Sequence, residues 1–382
     1  MSQLFSALVC AFVGFSASVA VLMAAAQAVG ATEAQTISWI AALAIAKGAA
    51  SIWLSWKWRQ PVICAWSTPG AALIAATTGL SLEMAVGGFI VAAILVILTA
   101  LVRPLGTLVA RIPMAVAAAM LAGVIFRFVV AVFDEMRGSP GLVGLVLAVF
   151  LIVRLFNPFG AVIAALVAGI ATALASGLAT WPDLTFSPSL VWIWPRFDLS
   201  TMIGLGVPLY LVTMAAQNLP GFAVLRAAGY EPPVQSALFA TGLASLATAG
   251  FGAHMVNMAA ISAAICTGPD THPDPAQRWK AGVWYGFVWF GVALATAPFI
   301  TLILAMPKAL IVAAAGLGLV GSLAGALGSA MAEEKARFAA VISFCVAASG
   351  LSLFGVGSAF WSLVAGLAVL ALDSIMAPRR KT

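Results

Sequence analysis

The chain has 382 residues, of which 63% are hydrophobic and only 8% are charged, with a formal net charge of +6. A soluble domain is roughly 45–50% apolar and about 25% charged, so these few charges cannot cover the surface of a water-soluble globule. The composition therefore excludes a soluble protein and indicates a chain whose solvent is largely lipid. The basic residues are spread along the chain in ones and twos, apart from a trio at the end, which argues against a nucleic acid partner.

Apolar stretches long enough to cross a bilayer follow one another along the whole chain. The search for segments of about 17–25 residues predicts an all-α polytopic membrane protein with roughly fourteen spans. The approximate ranges are 8–29, 36–56, 61–80, 84–102, 112–132, 141–156, 158–180, 201–225, 233–250, 251–268, 280–304, 306–329, 337–354 and 357–376. The first stretch is interpreted as a span and not as a cleaved signal, because no basic region precedes it.

The distribution of basic residues tests this number of spans, since cytoplasmic loops carry an excess of lysine and arginine. With the N-terminus inside, thirteen basic residues fall on one face and only three, Arg137, Arg196 and Lys308, fall on the other. Lys47 and Arg127 fall within spans. The asymmetry predicts that both termini are cytoplasmic.

Three short landmarks recur in the second half of the chain at nearly one offset. The matches are 24–27 with 214–217 and Ser67 with Asn257, both 190 residues apart, and 111–115 with 305–309, 194 residues apart. A repeat with an odd number of spans is inverted in the membrane. We therefore predict a 7+7 inverted repeat, with the first repeat over 1–180, a periplasmic linker over 181–200 and the second repeat over 201–382.

The third and tenth predicted spans are interrupted at corresponding positions, which in inverted repeats points to the binding site. In the third span, Ser67 or Thr68 can cap a half-helix whose first turn contains Pro69. In the tenth span two glycines loosen the backbone, and Asn257 is a good cap for a second half-helix. Two facing helix N-termini would suit a carboxylate. The alternative is an ordinary kinked span with satisfied hydroxyls.

Adjacent amides in the eighth span are costly in an apolar helix unless they find partners. Gln217 and Asn218 therefore either hold helices together or face a polar cavity, as does Gln27, the repeat equivalent of Gln217. The predicted substrate-binding residues are Ser67, Thr68, Pro69, Gly70, Gln217, Asn218, Asn257 and Met258.

His254, Lys47 and Arg127 are ionisable side chains within predicted spans and are candidates for function. A histidine can titrate near physiological pH, so His254 could carry a coupled proton, or it is a neutral histidine bonded to a carbonyl. Lys47 has no evident acidic partner and is a second candidate for proton coupling, whereas Arg127 can pair with Asp134 or Glu135 or reach the interface.

The spans contain no constellation typical of an enzyme, and we predict no catalytic residue, no cofactor and no metal. The four cysteines lack the spacing of metal ligands, and no Ser-His-Asp or Cys-His set lies within the spans. A passive anion channel is the rival function.

Four segments, 65–73, 213–221, 224–230 and 257–266, resemble the benzoate/proton symporter (BenE) family, and the resemblance extends over nearly the whole chain. It implies the fold of uracil and sulfate permeases, with a core domain of approximately 1–105 plus 201–305 and a gate domain of approximately 106–180 plus 306–376. Transport in that fold moves the core against the gate. The resemblance also implies uptake of benzoate, or a similar aromatic carboxylate, with a proton across a bacterial inner membrane.

The related uracil permeases have membrane carboxylates in the eighth and tenth spans, whereas this chain has Gln217, Asn218, His254 and Asn257 in those regions. This departure agrees with an anionic substrate, which a carboxylate in the site would repel. The expected partners are the aromatic carboxylate, protons and the lipid bilayer, with a homodimer as an open alternative to a monomer. A passive or exchange pathway for another small organic anion is the alternative function.

Overall fold

A computed structural model describes residues 3–376 apart from 17, 78, 103–112, 159, 185–189, 260 and 354–355. The helices are α1 (Gln3–Ser16), α2 (Val19–Ala28), α3 (Glu33–Trp58), α4 (Thr68–Ala76), α5 (Leu82–Leu101), α6 (Met114–Gly138), α7 (Pro140–Phe156), α8 (Ala161–Ala175), α9 (Leu199–Ala227), α10 (Val234–Ala249), α11 (Ile261–Thr267), α12 (Trp279–Leu294), α13 (Thr296–Leu304), α14 (Lys308–Met331), α15 (Arg337–Ser349) and α16 (Ser358–Met376). The strands are β1 (Cys64–Trp66) and β2 (Val256–Met258). Part of the predicted linker, residues 111 and 112 of the third landmark and the C-terminal basic trio lie outside the described residues.

Within the described residues, seven helical segments are long and apolar enough to cross a membrane, and a bent pair makes an eighth. The bent pair joins α12 to α13 at an angle of 55°, and α7, α8 and α10 are shorter apolar helices. The helical membrane architecture is thus confirmed, while the number of fourteen spans stays a prediction.

The first predicted span contains two helices, α1 and α2, which together are long and apolar enough for one membrane span. α1 ends at Ser16 and α2 begins at Val19. Between them, the Ser18 hydroxyl donates to the Gly14 carbonyl at 2.6 Å and accepts a hydrogen bond from the Trp66 indole at 2.6 Å. Ser18 thus bonds back to the preceding turn and is tied to β1 by the Trp66 indole.

Equivalent serines in the two halves of the chain hold the two strands. The Cys64 N–H donates to Ser51 Oγ at 2.9 Å, and the two residues are 13 apart. The Val256 N–H donates to Ser245 Oγ at 2.8 Å, and these residues are 11 apart. The same bond from a helix to the following strand in each half, together with the antiparallel pairing of β1 and β2, agrees with the predicted inverted repeat.

Helices α3 and α12 cross closely because each has a glycine at the crossing. A Cβ added to Gly286 would lie 2.5 Å from the Gly48 carbonyl oxygen, and one added to Gly48 would lie 2.9 Å from the Gly286 carbonyl oxygen. Small residues allow this approach of helix backbones in membrane proteins. The crossing joins a helix of the first half of the chain to one of the second half.

We expect Gly286→Ala to lower the melting temperature of the detergent-purified protein, because overpacking a tight contact costs about 1–3 kcal/mol. Gly291→Ala in the same helix is the matched control, since no atom lies within 4 Å of its added Cβ. Its melting temperature should stay the same or rise slightly, because alanine favours a helix over glycine. Equal melting temperatures for the two variants would contradict the close crossing.

Candidate functional site

Two short strands pair where the third and tenth predicted spans are interrupted. In the antiparallel register of β1 and β2, Ala65 lies opposite Asn257. Just outside the strands, the Ser67 N–H donates to the Met255 carbonyl at 3.0 Å, and the Ala259 N–H donates to the Ile63 carbonyl at 2.8 Å. Unwound backbone at membrane depth must satisfy its polar groups within the protein. The polar backbone groups of each interrupted span therefore find hydrogen-bond partners in the other.

Helix α4 begins directly after β1 and has the N-terminus that the sequence predicts. Ser67 Oγ accepts a hydrogen bond from the Gly70 N–H at 3.1 Å, and Pro69 in the first turn has no N–H to satisfy. The Thr213 hydroxyl of α9 donates to Ser67 Oγ at 3.0 Å. Ser67 is fully buried, whereas Thr68 is half-buried. The predicted cap of this half-helix is confirmed, with Ser67 as the capping residue.

The tenth span differs from the prediction, because Asn257 lies within β2 and α11 begins only at Ile261. With its amide oriented to satisfy both neighbours, Asn257 Oδ1 accepts from the Ser67 N–H at 3.0 Å and Nδ2 donates to the Met258 carbonyl at 3.0 Å. The prediction that Asn257 caps a helix is wrong, since pairing with β1 keeps its backbone extended. The side chain instead links the two strands.

Asn218 joins α9 to β2. Its Oδ1 accepts a hydrogen bond from the Met258 N–H at 2.8 Å, and its Nδ2 lies 3.2 Å from the Met214 sulfur. The side chain is fully buried. Residues 214–218 form a wide π-helical turn just before Pro220, a distortion that is frequent at functional sites. Asn218 is expected from the sequence either to find a partner within the protein or to face a polar cavity. The structure shows the partner, which is the Met258 N–H.

Gln217 lies on the same wide turn, but the surroundings of its side chain differ from those of Asn218. Its side chain is half-buried, and its amide makes no hydrogen bond to any residue that the structure describes. It lies one turn beyond Thr213, which contacts the start of α4. Gln27, its repeat equivalent, is exposed.

His254 precedes β2 and is fully buried. Its Nδ1 accepts a hydrogen bond from the Trp39 indole at 3.0 Å, and its Nε2 lies 2.8 Å from the Ser67 carbonyl oxygen. An indole N–H can only donate and a carbonyl can only accept, so the imidazole is neutral and carries its proton on Nε2. Protonation of Nδ1 would break the bond to Trp39.

Lys47 is enclosed by aromatic rings on α3's inner side. Its Nζ lies 3.2 Å from the ring centroid of Trp66 and 3.0 Å from that of Trp289, and the residue is only 1% exposed. Among the described residues it has no acidic partner. Indole faces attract a cation, by about 2 kcal/mol or more when the pair is desolvated. The two indole rings are thus the partners of the Lys47 amine among the described residues.

Arg127 lacks the partners that the sequence suggested. Asp134 pairs with Arg137 at 3.8 Å, and Glu135 pairs with Lys308 at 3.8 Å. The i,i+3 spacing brings Asp134 and Arg137 together on one helix face, and the start of α14 brings Lys308 to Glu135. Of the two alternatives for Arg127, the structure does not show the pairing with Asp134 or Glu135, and the side chain is exposed.

The structure brings Ser67, Gly70, Asn218, Asn257 and Met258 into one hydrogen-bonded group, with Thr68 and Gln217 at its edge. Sequence reasoning missed the residues that support the group: Trp39, Trp66, Thr213, Tyr285, which donates to the Cys64 carbonyl at 3.0 Å, and Trp289. Thr213 could have been found, because it lies one turn before Gln217. The aromatic residues give no such signal, since they are common throughout membrane helices.

The fold has close counterparts among solved structures. The transmembrane domain of a cyanobacterial bicarbonate transporter, BicA, matches 96% of this chain and 96% of its own, with a TM-score of 0.64 and 16% identity. Murine Solute Carrier 26 family member A9, an anion transporter in the inward-facing state, matches 98% of this chain and 68% of its own, with a TM-score of 0.66 and 12% identity. At these identities the match shows that this chain shares the fold of these two proteins.

Sequence comparisons give the family. The family model described as benzoate membrane transport protein, BenE, matches residues 1–372. The inner membrane protein YdcO of Escherichia coli is 40% identical over 97% of this chain and 95% of its own. The benzoate membrane transport protein of Acinetobacter baylyi is 32% identical over 96% of this chain and 93% of its own. The chain belongs to the BenE family and is a membrane transport protein, not an enzyme.

Proposed function

We propose that the protein imports benzoate, or a similar aromatic carboxylate, together with a proton across the bacterial inner membrane. The names of the family and of the Acinetobacter relative support this substrate, and the structural neighbours are titled as bicarbonate and anion transporters. The observation that carries the proposal is the start of α4 at the strand crossing, where Thr68 and Gln217 are half-buried beside a capped helix N-terminus.

The donors left for a carboxylate follow from the hydrogen bonds already made. The Gly70 N–H is used by Ser67 Oγ, the Ala71 N–H bonds to the Ser67 carbonyl, and Pro69 has no N–H. Thr68 therefore offers its N–H and hydroxyl, and Gln217 offers its amide. A carboxylate accepts several such bonds, and the positive end of the α4 dipole favours its charge. The walls of the site around these donors are formed by Ser67, Pro69, Gly70, Asn218, Asn257 and Met258.

Movement of a core domain against a gate domain would carry this site across the membrane. In the proposed division the core comprises approximately 1–105 and 201–305, and the gate comprises approximately 106–180 and 306–376. Helix α6 of the gate packs against α4 and against the wide turn of α9, so it lies against the proposed site. Both termini would be cytoplasmic on the predicted topology.

Two groups beside the site can carry the coupled proton. His254 would have to give up its bond to Trp39 to become charged, because both ring nitrogens are engaged. Lys47 has no hydrogen-bond acceptor among the residues that the structure describes, so opposing effects set its charge: burial disfavours the ammonium and the two indoles favour it. Lys47 is the stronger candidate, because a change in how closely the two indole rings surround its amine would change the balance of these effects and so its protonation.

Uptake of labelled benzoate into proteoliposomes, with and without an imposed inward proton gradient, tests the proposal. Accumulation above equilibrium that collapses with a protonophore is the expected result. Protein-free vesicles measure the benzoic acid that diffuses through lipid and are subtracted. Uptake that only equilibrates, unaffected by the gradient, would favour the alternative of a passive or exchange pathway, and no protein-dependent uptake would remove benzoate as substrate.

Gln217→Ala tests the direct role of this side chain. We expect the KM for benzoate to rise about tenfold, corresponding to about 1.4 kcal/mol, with little change in melting temperature because the amide has no partner to lose. Gln27→Ala, at the exposed repeat equivalent, is the matched control and should keep the original KM. An unchanged KM in Gln217→Ala would exclude the amide from the binding site.

A further inference from the structure

A cavity of about 250 Å³ lies at the C-terminal end of α4, away from the strand crossing. Its walls come from α4, α5 and α9 on one side and from α6, α16 and the segment before α16 on the other. Leu73, Thr77, Val124, Thr201, Gly350 and Ser358 are among the lining residues. The cavity thus lies between elements of the proposed core and the proposed gate, where transport requires a passage to open.

Arg127 lies at the edge of this cavity. Gly350, which lines it, is so close to the guanidinium that an added Cβ would overlap Nη1 and would lie 3.1 Å from Cζ. Val124, another lining residue, is three positions earlier on α6 and so shares a helix face with Arg127. The guanidinium makes no hydrogen bond or ion pair with any residue that the structure describes.

The other polar groups of the lining are neutral. Hydroxyl groups of threonine and serine supply donors, and no carboxylate belongs to the described lining. Two acids lie next to lining residues along the chain: Glu83, beside Met84, is exposed, and Asp198 caps α9 and accepts hydrogen bonds from the Ser200 hydroxyl and from the Thr201 N–H at 3.0 Å. These bonds hold the pKa of Asp198 below its usual range, so its carboxylate is charged but engaged on its own helix.

We propose that this cavity is an entry site for organic anions and that Arg127 is the cation that draws them into it. An unpaired guanidinium binds a carboxylate by charge-assisted hydrogen bonds, and the hydroxyls add further donors. Leu73, Leu80, Met84 and Val124 offer apolar surface for a ring. The volume is slightly below the roughly 300–1,000 Å³ of typical small-molecule sites, which suits a single small aromatic acid.

The identity of that acid as the transported benzoate rests on the proposed function. On the predicted topology the cavity opens toward the outside, so the anion would meet Arg127 before it reaches Thr68 and Gln217. An exposed charge of this kind raises the local concentration of the anion and its rate of entry. It therefore acts before the binding step at the strand crossing.

Charge-selective labelling tests the site without relying on transport. Cys345→Ala removes an exposed thiol, Cys10, Cys64 and Cys266 are buried, and Ser352→Cys places a thiol in the cavity wall. The measurement is a ratio of two rates of thiol modification: the rate with a negatively charged sulfonate methanethiosulfonate, divided by the rate with a positively charged trimethylammonium methanethiosulfonate. It is determined in the protein with Arg127 and in Arg127→Gln. We expect the ratio to fall at least threefold in Arg127→Gln, to be restored in Arg127→Lys, and to differ less at 1 M salt, where the Debye length is about 3 Å.

Benzoate should slow the modification when Arg127 is present and should slow it less in Arg127→Gln. A ratio that does not change between Arg127 and Arg127→Gln overturns the proposal. A lower ratio without protection by benzoate supports the anion site but removes benzoate as its occupant, and that result is independent of the uptake assay. Because Arg127 is exposed, Arg127→Gln should be purified in normal yield.

Discussion

Asn218→Leu is expected to abolish benzoate uptake and to lower the melting temperature of the purified protein. The Asn218 side chain is fully buried, and its Oδ1 is the acceptor for the Met258 N–H at 2.8 Å. Leucine has a similar size but no acceptor, so the Met258 N–H would be buried without a partner, at a cost of about 1–3 kcal/mol. Strand β2 would also lose its link to the wide turn of α9, and the strand crossing would shift against α4.

Gln217→Leu is the matched control for that experiment. It replaces an amide by an alkyl group at the adjacent position, as Asn218→Leu does. The Gln217 amide, however, makes no hydrogen bond to a described residue. Gln217→Leu should therefore keep its melting temperature while uptake falls. If Asn218→Leu melted at the same temperature as the unmodified protein, the hydrogen bond to Met258 would not contribute to the stability of the protein.

The second large effect is expected for Lys47→Met, which should lower proton-driven accumulation at least tenfold without destabilising the protein. Methionine fills the cage between Trp66 and Trp289 with an unbranched side chain that makes favourable sulfur–aromatic contacts. The buried amine makes no ion pair or hydrogen bond with a described residue that the exchange would remove, and methionine leaves no buried polar group behind. The melting temperature should thus stay the same or rise, while the titratable cation beside the site is lost.

Lys57→Met is the control for the loss of a lysine from the same helix. Lys57 lies 4.5 Å from the centroid of the Trp53 ring, but it is exposed, so its loss should leave accumulation unchanged. His254→Gln separates the two candidates, because glutamine can donate to the Ser67 carbonyl and accept from Trp39 without titrating. Full proton-driven accumulation in Lys47→Met together with its loss in His254→Gln would assign the coupled proton to His254.

The local features of the site could be predicted from the sequence. Ser67, Thr68 and Pro69 specify a helix start by their own chemistry, and the structure places the start of α4 there. The periodic apolar segments likewise specify membrane helices. Polar amides in an apolar span needed partners, and Asn218 has one.

The rest depends on contacts between distant parts of the chain. Asn257 would cap a helix by its local propensity, but pairing with β1 holds it in a strand. Ser18, just before α2, is bound by Trp66, and the partners of Lys47 are two tryptophans far apart in sequence. One sequence without its fold gives no means of choosing these tryptophans from the 12 in the chain.

The pairing of β1 with β2 also constrains how the protein is made. The Ile63 carbonyl and the Ser67 N–H have their backbone partners at Ala259 and Met255, in a segment that is synthesised much later. Until then, an unwound stretch in the membrane has polar groups that lipid cannot satisfy. The first repeat on its own is therefore an incomplete folding unit, and it has to be held by water, by the insertion machinery or in a temporary helix until the second repeat arrives.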